Sequence, residues 1–180
     1  METNGQQPNS VALPSDSVQL RIRNFESQIL YFNGMYKLPV APYPSAQHLR
    51  EHVRSRIEGF LKTVRKEVTE GDDLLLKIQN GELDEEEFLA EKADWLGDII
   101  IYCASEMAKY GLPIMEVLRI IMQSNFSKLQ ADGTVLYDAN GKVLKGPGYW
   151  KPEPLLLDMI RDLRADAMKG KQNDNNQSPR

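Results

Sequence analysis

The stretch from Asp84 to Gly111 constrains the fold most, because it carries a helix start, an uninterrupted helical period and a stop. Asp84 can cap a helix with Glu87 at its third position, and Leu83 with Phe88 forms a hydrophobic staple around that start. Leu89, Ala93, Leu96, Ile100, Cys103 and Met107 then recur on one stripe, and Gly111 closes the run. Beside the stripe lies an acidic face. Glu91, Asp94 and Asp98 stand at i, i+3 and i+7, so three carboxylates line one side and repel one another unless a positive charge sits between them. A divalent cation is the usual answer to such a row.

The segments around this helix are read the same way. From Ser17 to Tyr31, Val18, Leu20, Ile22, Phe25, Ile29 and Leu30 lean towards a helical period, and two prolines in VAPYPS break it. A second helix is predicted from near Ser45 to about Glu70, with Leu49, Val53, Ile57, Phe60, Leu61, Val64 and Val68 as its stripe. Gly71 is placed to stop or bend it, and DLLLKIQNGEL continues as a short helix to the Asn80-Gly81 turn. Pro113 suits the first turn of a fourth helix, whose apolar positions put Asn125 on the buried face. Beyond Gln130, GTVLYDANGKVLKG alternates around Asn140-Gly141 and predicts a small β-hairpin. A link rich in Gly and Pro then leads to a last short helix, LLLDMIRDLRADAM. The fold class is therefore all-α: a bundle of four to five helices with a small C-terminal hairpin.

With 180 residues the chain suits one domain. Residues 1–14 and 169–180 are polar and aperiodic and are expected to be flexible tails around a domain over 15–168. Hydrophobic residues at 41% and charged residues at 27% are those of an ordinary soluble protein. A net charge of −4 argues against a nucleic-acid or anionic-membrane binder, which would need clustered Lys and Arg. Cys103 is alone, so neither an intramolecular disulfide nor a thiolate metal cluster is available, which fits a reducing cytoplasm. No apolar run reaches the ~18 residues of a membrane span, and the N-terminus lacks the basic-then-apolar pattern of a secretory signal.

The chemistry rests on a second acidic pair, Glu67 and Glu70, at the end of helix two. Twenty residues separate Glu70 from Glu91, and a short connection favours antiparallel packing, which lets the two acidic sets converge. Oxygen ligands without His or Cys suit Mg²⁺ or Mn²⁺ better than zinc. Either pair taken alone also fits a solvated helix face. His48 and His52 stand at i and i+4, but no third ligand accompanies them and the HExxH pattern is absent. Asn125, at a core phase, and Lys128, one turn later, can contact phosphate, or else cap and solvate a helix end. Trp95, Tyr149 and Trp150 can stack on a base or fill the core. Neither GxxxxGK[ST] nor GxGxxG occurs.

These motifs resemble the all-alpha nucleoside triphosphate pyrophosphohydrolases, the MazG-like superfamily that includes phosphoribosyl-ATP pyrophosphohydrolase and dimeric dUTPases. Glu67-Val-Thr-Glu70 and Glu91-Lys-Ala-Asp94 match its paired ExxE and ExxD, with Asp98 as an extra acid one turn on. Ser124 to Leu129 (SNFSKL) and the later ADGTVLYDANGKVLKGP resemble the phosphoribosyl-ATP pyrophosphohydrolase-like branch, so that the likeness spans about residues 17–157. The chain departs from the pattern at Lys66, where many members have a second Glu, and at Trp95, where many have Glu. A shifted register would bind metal through Asp94 and Asp98 and leave Glu91 outside.

The resemblance implies Mg²⁺-dependent cleavage between the α and β phosphates of a (d)NTP or related nucleotide, giving the monophosphate and pyrophosphate. It implies that Glu67, Glu70, Glu91 and Asp94 hold the metals, that Asp98 ligates or orients the water, and that Asn125 and Lys128 contact the nucleotide. It also implies a homodimer or homotetramer that shares apolar helix faces. The alternative is a non-catalytic helical homo-oligomer that binds nucleotide or a protein partner.

Overall fold

The computed structural model describes residues 24–46 and 53–176. Among them the fold is all-helical, with α1 at Phe25–Met35, α2 at Val53–Gln79, α3 at Glu85–Lys109, α4 at Ile114–Phe126 and α5 at Pro152–Asn176. The positions expected to open the first helix (17–23) and most of those expected to open the second (47–52) lie outside the described residues, as do His48 and His52.

α3 is built as its sequence dictates. The Asp84 side chain accepts from Glu87 N at 2.8 Å and the Glu87 carboxylate accepts from Asp84 N at 3.0 Å, so two N–H groups that a helix start leaves without partners are satisfied. Its other end closes on Gly111 at φ 65°, with Gly111 N–H donating to Ala108 O and Leu112 N–H to Met107 O.

α2 differs from expectation at Gly71. The helix runs through it to Gln79 and stops at Gly81, φ 68°, where Gly81 N–H donates to Ile78 O and Glu82 N–H to Lys77 O. Gly71 serves packing instead: a Cβ there would stand 2.5 Å from Cζ2 of Trp95. A missing side chain, rather than a chain break, lets the indole lie against the α2 backbone.

α2 and α3 run antiparallel. Lys77 pairs with Glu91 at one end of the contact, and Trp95 Nε1 donates to the Glu67 carbonyl at 2.6 Å further along. Ile29 of α1, Ala104 and Ala108 of α3 and Ile114 of α4 form one buried cluster, with Phe25, Ile101 and Met107 around them. Asn33, fully buried, donates to the Ser105 carbonyl at 3.1 Å and accepts from Ser105 Oγ at 2.6 Å, which fixes the register of α1 and α3. α4 begins after Pro113 without a side-chain cap of its own; Glu26 of α1 accepts from Ile114 N at 2.9 Å and takes that role.

Two expectations for the C-terminal third are corrected. On α4 the buried phase is Ile114, Val117, Ile120 and Ser124, so Asn125 is exposed and serine takes the buried position. The hairpin is also absent: among the described residues no strand forms, and 135–144 holds one isolated antiparallel bridge, Tyr137 with Val143. The Asn140-Gly141 turn does form, with Gly141 at φ 77° and Asp138 Oδ1 accepting from Asn140 N and Lys142 N at 2.9 Å each. What the ladder lacks is a face to bury: Leu136, Tyr137 and Leu144 are exposed, and a lone two-stranded hairpin is marginal in water. The last helix is longer than its periodicity indicates and reaches Asn176.

Candidate functional site

Glu67 is the least expected side chain on α2. It is 3% exposed, and its Oε2 has no hydrogen-bond partner. Burial raises its pKa first, the neighbouring Glu70 adds to the rise, and Asp98 across the helix pair adds a smaller share against the opposing Lys66. Glu70 goes the other way: Lys66 Nζ lies 2.7 Å from Glu70 Oε1, and this hydrogen bond holds the carboxyl below the usual glutamate range. Tyr102, one turn beyond Asp98, has its phenol pKa raised by burial and then by the Glu67 and Asp98 charges. These shifts mark a cluster in which negative charge is concentrated.

The five acids named from sequence do not share one environment. Glu67 feels the charges of both Glu70 and Asp98. Glu91 is held by Lys77, whose Nζ lies 2.9 Å and 2.7 Å from its two oxygens. Asp94 is exposed on α3. In this arrangement of side chains no three His, Cys, Asp or Glu residues among the described residues stand close enough to hold an ion. The donor set nonetheless fits a hard divalent cation, because it consists of carboxylate oxygens and includes a buried one without a partner. Trp95 positions that set: it packs on Gly71, bonds the Glu67 carbonyl and so fixes the turn of α2 that carries Glu67.

Asp98 also opens on a cleft of about 790 Å³ between α1, the first half of α2 and the second half of α3. Phe32, Tyr36, Phe60 and Tyr102 give it aromatic walls, and the Phe32 and Tyr36 rings meet in a tilted pair, at 49° with centroids 4.7 Å apart. Arg56, Glu106 and Lys109 line it as well, with Lys109 Nζ 2.8 Å from Glu106 Oε2. From Asp98 to Glu106 is eight helical residues, about 12 Å along α3. The acidic cluster and this polar end are therefore separated by the aromatic section. The volume falls within the ~300–1,000 Å³ of small-molecule sites.

Sequence reasoning did not single out these walls as a binding surface. The signal was present, since Thr63 and Phe60 precede Glu67 by one and two turns, and Tyr102 and Ser105 follow Asp98 likewise. Following the acidic faces along their helices leads to them.

The SNFSK group lies at the far end of α4. Lys128 Nζ donates to Asn125 Oδ1 at 2.7 Å, Ser124 Oγ donates to Trp150 O at 2.9 Å, and Trp150 N donates to Ser127 Oγ at 3.2 Å. Gly146 N–H donates to the Lys128 carbonyl at 2.9 Å. These bonds tie the group to the 146–150 link. Tyr149 carries Lys145 Nζ over its ring at 4.3 Å, and neither it nor Trp150 lines the cleft.

No protein-family model matches the sequence, and no curated protein matches it. Among solved structures, one from Exiguobacterium sp. 255-15 that carries the provisional name NTP pyrophosphohydrolase is similar at 23% identity, with a TM-score of 0.42, over 82% of this chain and 98% of that chain. No helix among the described residues is long and apolar enough to cross a membrane.

Proposed function

We propose that the protein is a Mg²⁺-dependent nucleotide pyrophosphohydrolase that cleaves a (d)NTP or related nucleotide between its α and β phosphates, releasing the monophosphate and pyrophosphate. One observation carries the reading: a buried glutamate with one oxygen lacking a hydrogen-bond partner stands with two further carboxylates, one of which opens on an aromatic-walled cleft of nucleotide size. A scaffold helix pair has little reason to bury Glu67 with one oxygen unsatisfied and a second carboxylate beside it, since an uncompensated buried charge is destabilising.

Glu67, Glu70 and Asp98 would hold Mg²⁺, or Mn²⁺ in its place, with Asp94 and Glu91 as further ligands once Glu91 leaves Lys77. The bound cation would supply the charge that neutralises the phosphates and would acidify the attacking water. Asp98, at the junction of cluster and cleft, orients that water and takes its proton. The nucleoside lies along Tyr102, Phe60 and Phe32, whose rings exclude bulk water and stack on a base. Asn125 and Lys128, at the end of α4 and outside the lining of this cleft, would supply an acceptor-donor pair and a point charge to the phosphates.

The substrate enters a homo-oligomer in this reading, a homodimer or homotetramer. Ile57, Leu61 and Val68 of α2 and Leu89, Leu96 and Ile100 of α3 are exposed on stripes that keep helical spacing, which supports a second copy as their cover. The cell compartment proposed is the cytoplasm.

The test is a panel of NTPs and dNTPs incubated with Mg²⁺ or Mn²⁺ and assayed for pyrophosphate. Release from at least one nucleotide is expected; silence across the panel with both metals sinks the enzyme reading and leaves the nucleotide-binding or partner-binding homo-oligomer.

A further inference from the structure

An ammonium group already stands in the acidic cluster. Lys66 Nζ lies 2.7 Å from Glu70 Oε1, one turn on along α2, and the same charge acts on the buried Glu67 beside it. The pair is open to water, with side chains 73% and 43% exposed, so breaking it costs little. Lys66 also leaves the cluster incompletely neutralised, because Glu67 Oε2, in a residue 3% exposed, has no partner. A flexible four-carbon stem brings one positive charge to the Glu67 and Glu70 carboxylates.

We propose that Lys66 is a tethered counter-ion that competes with a divalent cation for the Glu67, Glu70 and Asp98 carboxylates and so sets the cation concentration at which the site fills. The proposal rests on reading those carboxylates as a metal site. A divalent ion that binds while Lys66 stays near Glu70 does so against the field of the ammonium; one that binds after Lys66 swings out must first break the ion pair. Either route weakens binding relative to a site without the lysine, and the α2 geometry fixes the penalty into the fold. Lys66 holds the metal-free cluster together and yields it when the cation concentration is high enough.

The experiment titrates Mn²⁺ alone into metal-free protein by isothermal titration calorimetry at low ionic strength, for the wild type, Lys66→Gln and Lys66→Arg. Lys66→Gln is expected to tighten the Kd by ~3–10-fold, the size of a charge interaction open to water, and Lys66→Arg to leave it within about twofold. Salt should narrow the gap. Lys66→Ala serves as a second neutral variant, and circular dichroism checks that each helix content matches the wild type. A Kd for both neutral variants that is unchanged or weaker overturns the proposal. A wild type and neutral variants that bind no Mn²⁺ overturn it together with the metal-site reading. Tighter Mn²⁺ binding by Lys66→Gln with no nucleotide cleaved would keep Lys66 in this role and remove only the enzymatic one.

Discussion

At the scale of single residues, Glu67 ties stability to function. The folded protein holds its proton more tightly than the unfolded chain does, because burial, Glu70 and Asp98 all disfavour its charge. Protons therefore favour the fold through this group: its contribution is complete below the ordinary glutamate pKa and is lost as pH rises through the raised one. In metal-free protein Glu67→Gln should remove that loss and raise Tm at neutral pH by about 2–4 °C, the change that ~1 kcal/mol makes in a domain of this size. The gap between variant and wild type should close as the pH falls below the glutamate range, which a series of thermal melts reads directly. The same substitution should cut turnover by about 100-fold or more, as loss of a metal-holding or charge-stabilising group does. Asp94→Ala tests the acid that both readings of the ExxD spacing share: lost turnover with intact circular dichroism places Asp94 in the site, and undiminished activity removes it.

Single residues also show where sequence was a sufficient guide. The acids were legible from spacing, because i, i+3 and i+7 follow from helix geometry alone. That Glu91 would be taken by Lys77 was not, since that pair depends on the offset between two helices, whereas Lys66 and Glu70 stand at i and i+4 on α2 and could have been paired from spacing. Asn125 failed for a related reason. Apolar residues on α4 occupy more than one face, so periodicity alone could not tell Ser124 from Asn125.

Among the elements, the helix starts and stops were the most readable, and α3 is the clearest case. Its capping box was written in the sequence, and Asp84→Ala should cost about 1 kcal/mol in urea unfolding, with the loss falling on α3. Gly71 was readable as unusual but not as to its role. Glycine in mid-helix costs about 1 kcal/mol against alanine, so a propensity argument alone expects Gly71→Ala to stabilise. The Trp95 indole reverses that sign: the new Cβ must push the ring from its place, and a cost of about 1–3 kcal/mol is expected instead. A stabilised Gly71→Ala would show that Trp95 moves freely and does not fix the Glu67 turn. The predicted hairpin shows the limit of local chemistry. Its turn residues behave as their types require, yet alternation becomes a strand pair only where one face is covered.

At the scale of the whole molecule, the described core is small for the apolar content of the chain. Seven hydrophobic residues are buried among those described, and many more large ones lie open on α2, α3 and α4. Exposed stripes of this extent mark association surfaces. Sedimentation velocity should find a dimer or tetramer, and Ile100→Asp should shift it towards monomer, because a charge cannot be buried in an apolar seam without a partner. A monomeric wild type at micromolar concentration would rule out the shared-face account. The cleft belongs to the same scale, since α1, α2 and α3 each supply a wall and no single segment announces it.

The most direct measurement is ³¹P NMR of the products formed from the preferred nucleotide and Mg²⁺ by the wild type and by Asp98→Asn. The account expects monophosphate and pyrophosphate from the wild type, and a rate lowered by about 100-fold or more in the variant. Orthophosphate with nucleoside diphosphate, or pyrophosphate formed as fast by Asp98→Asn, would contradict it.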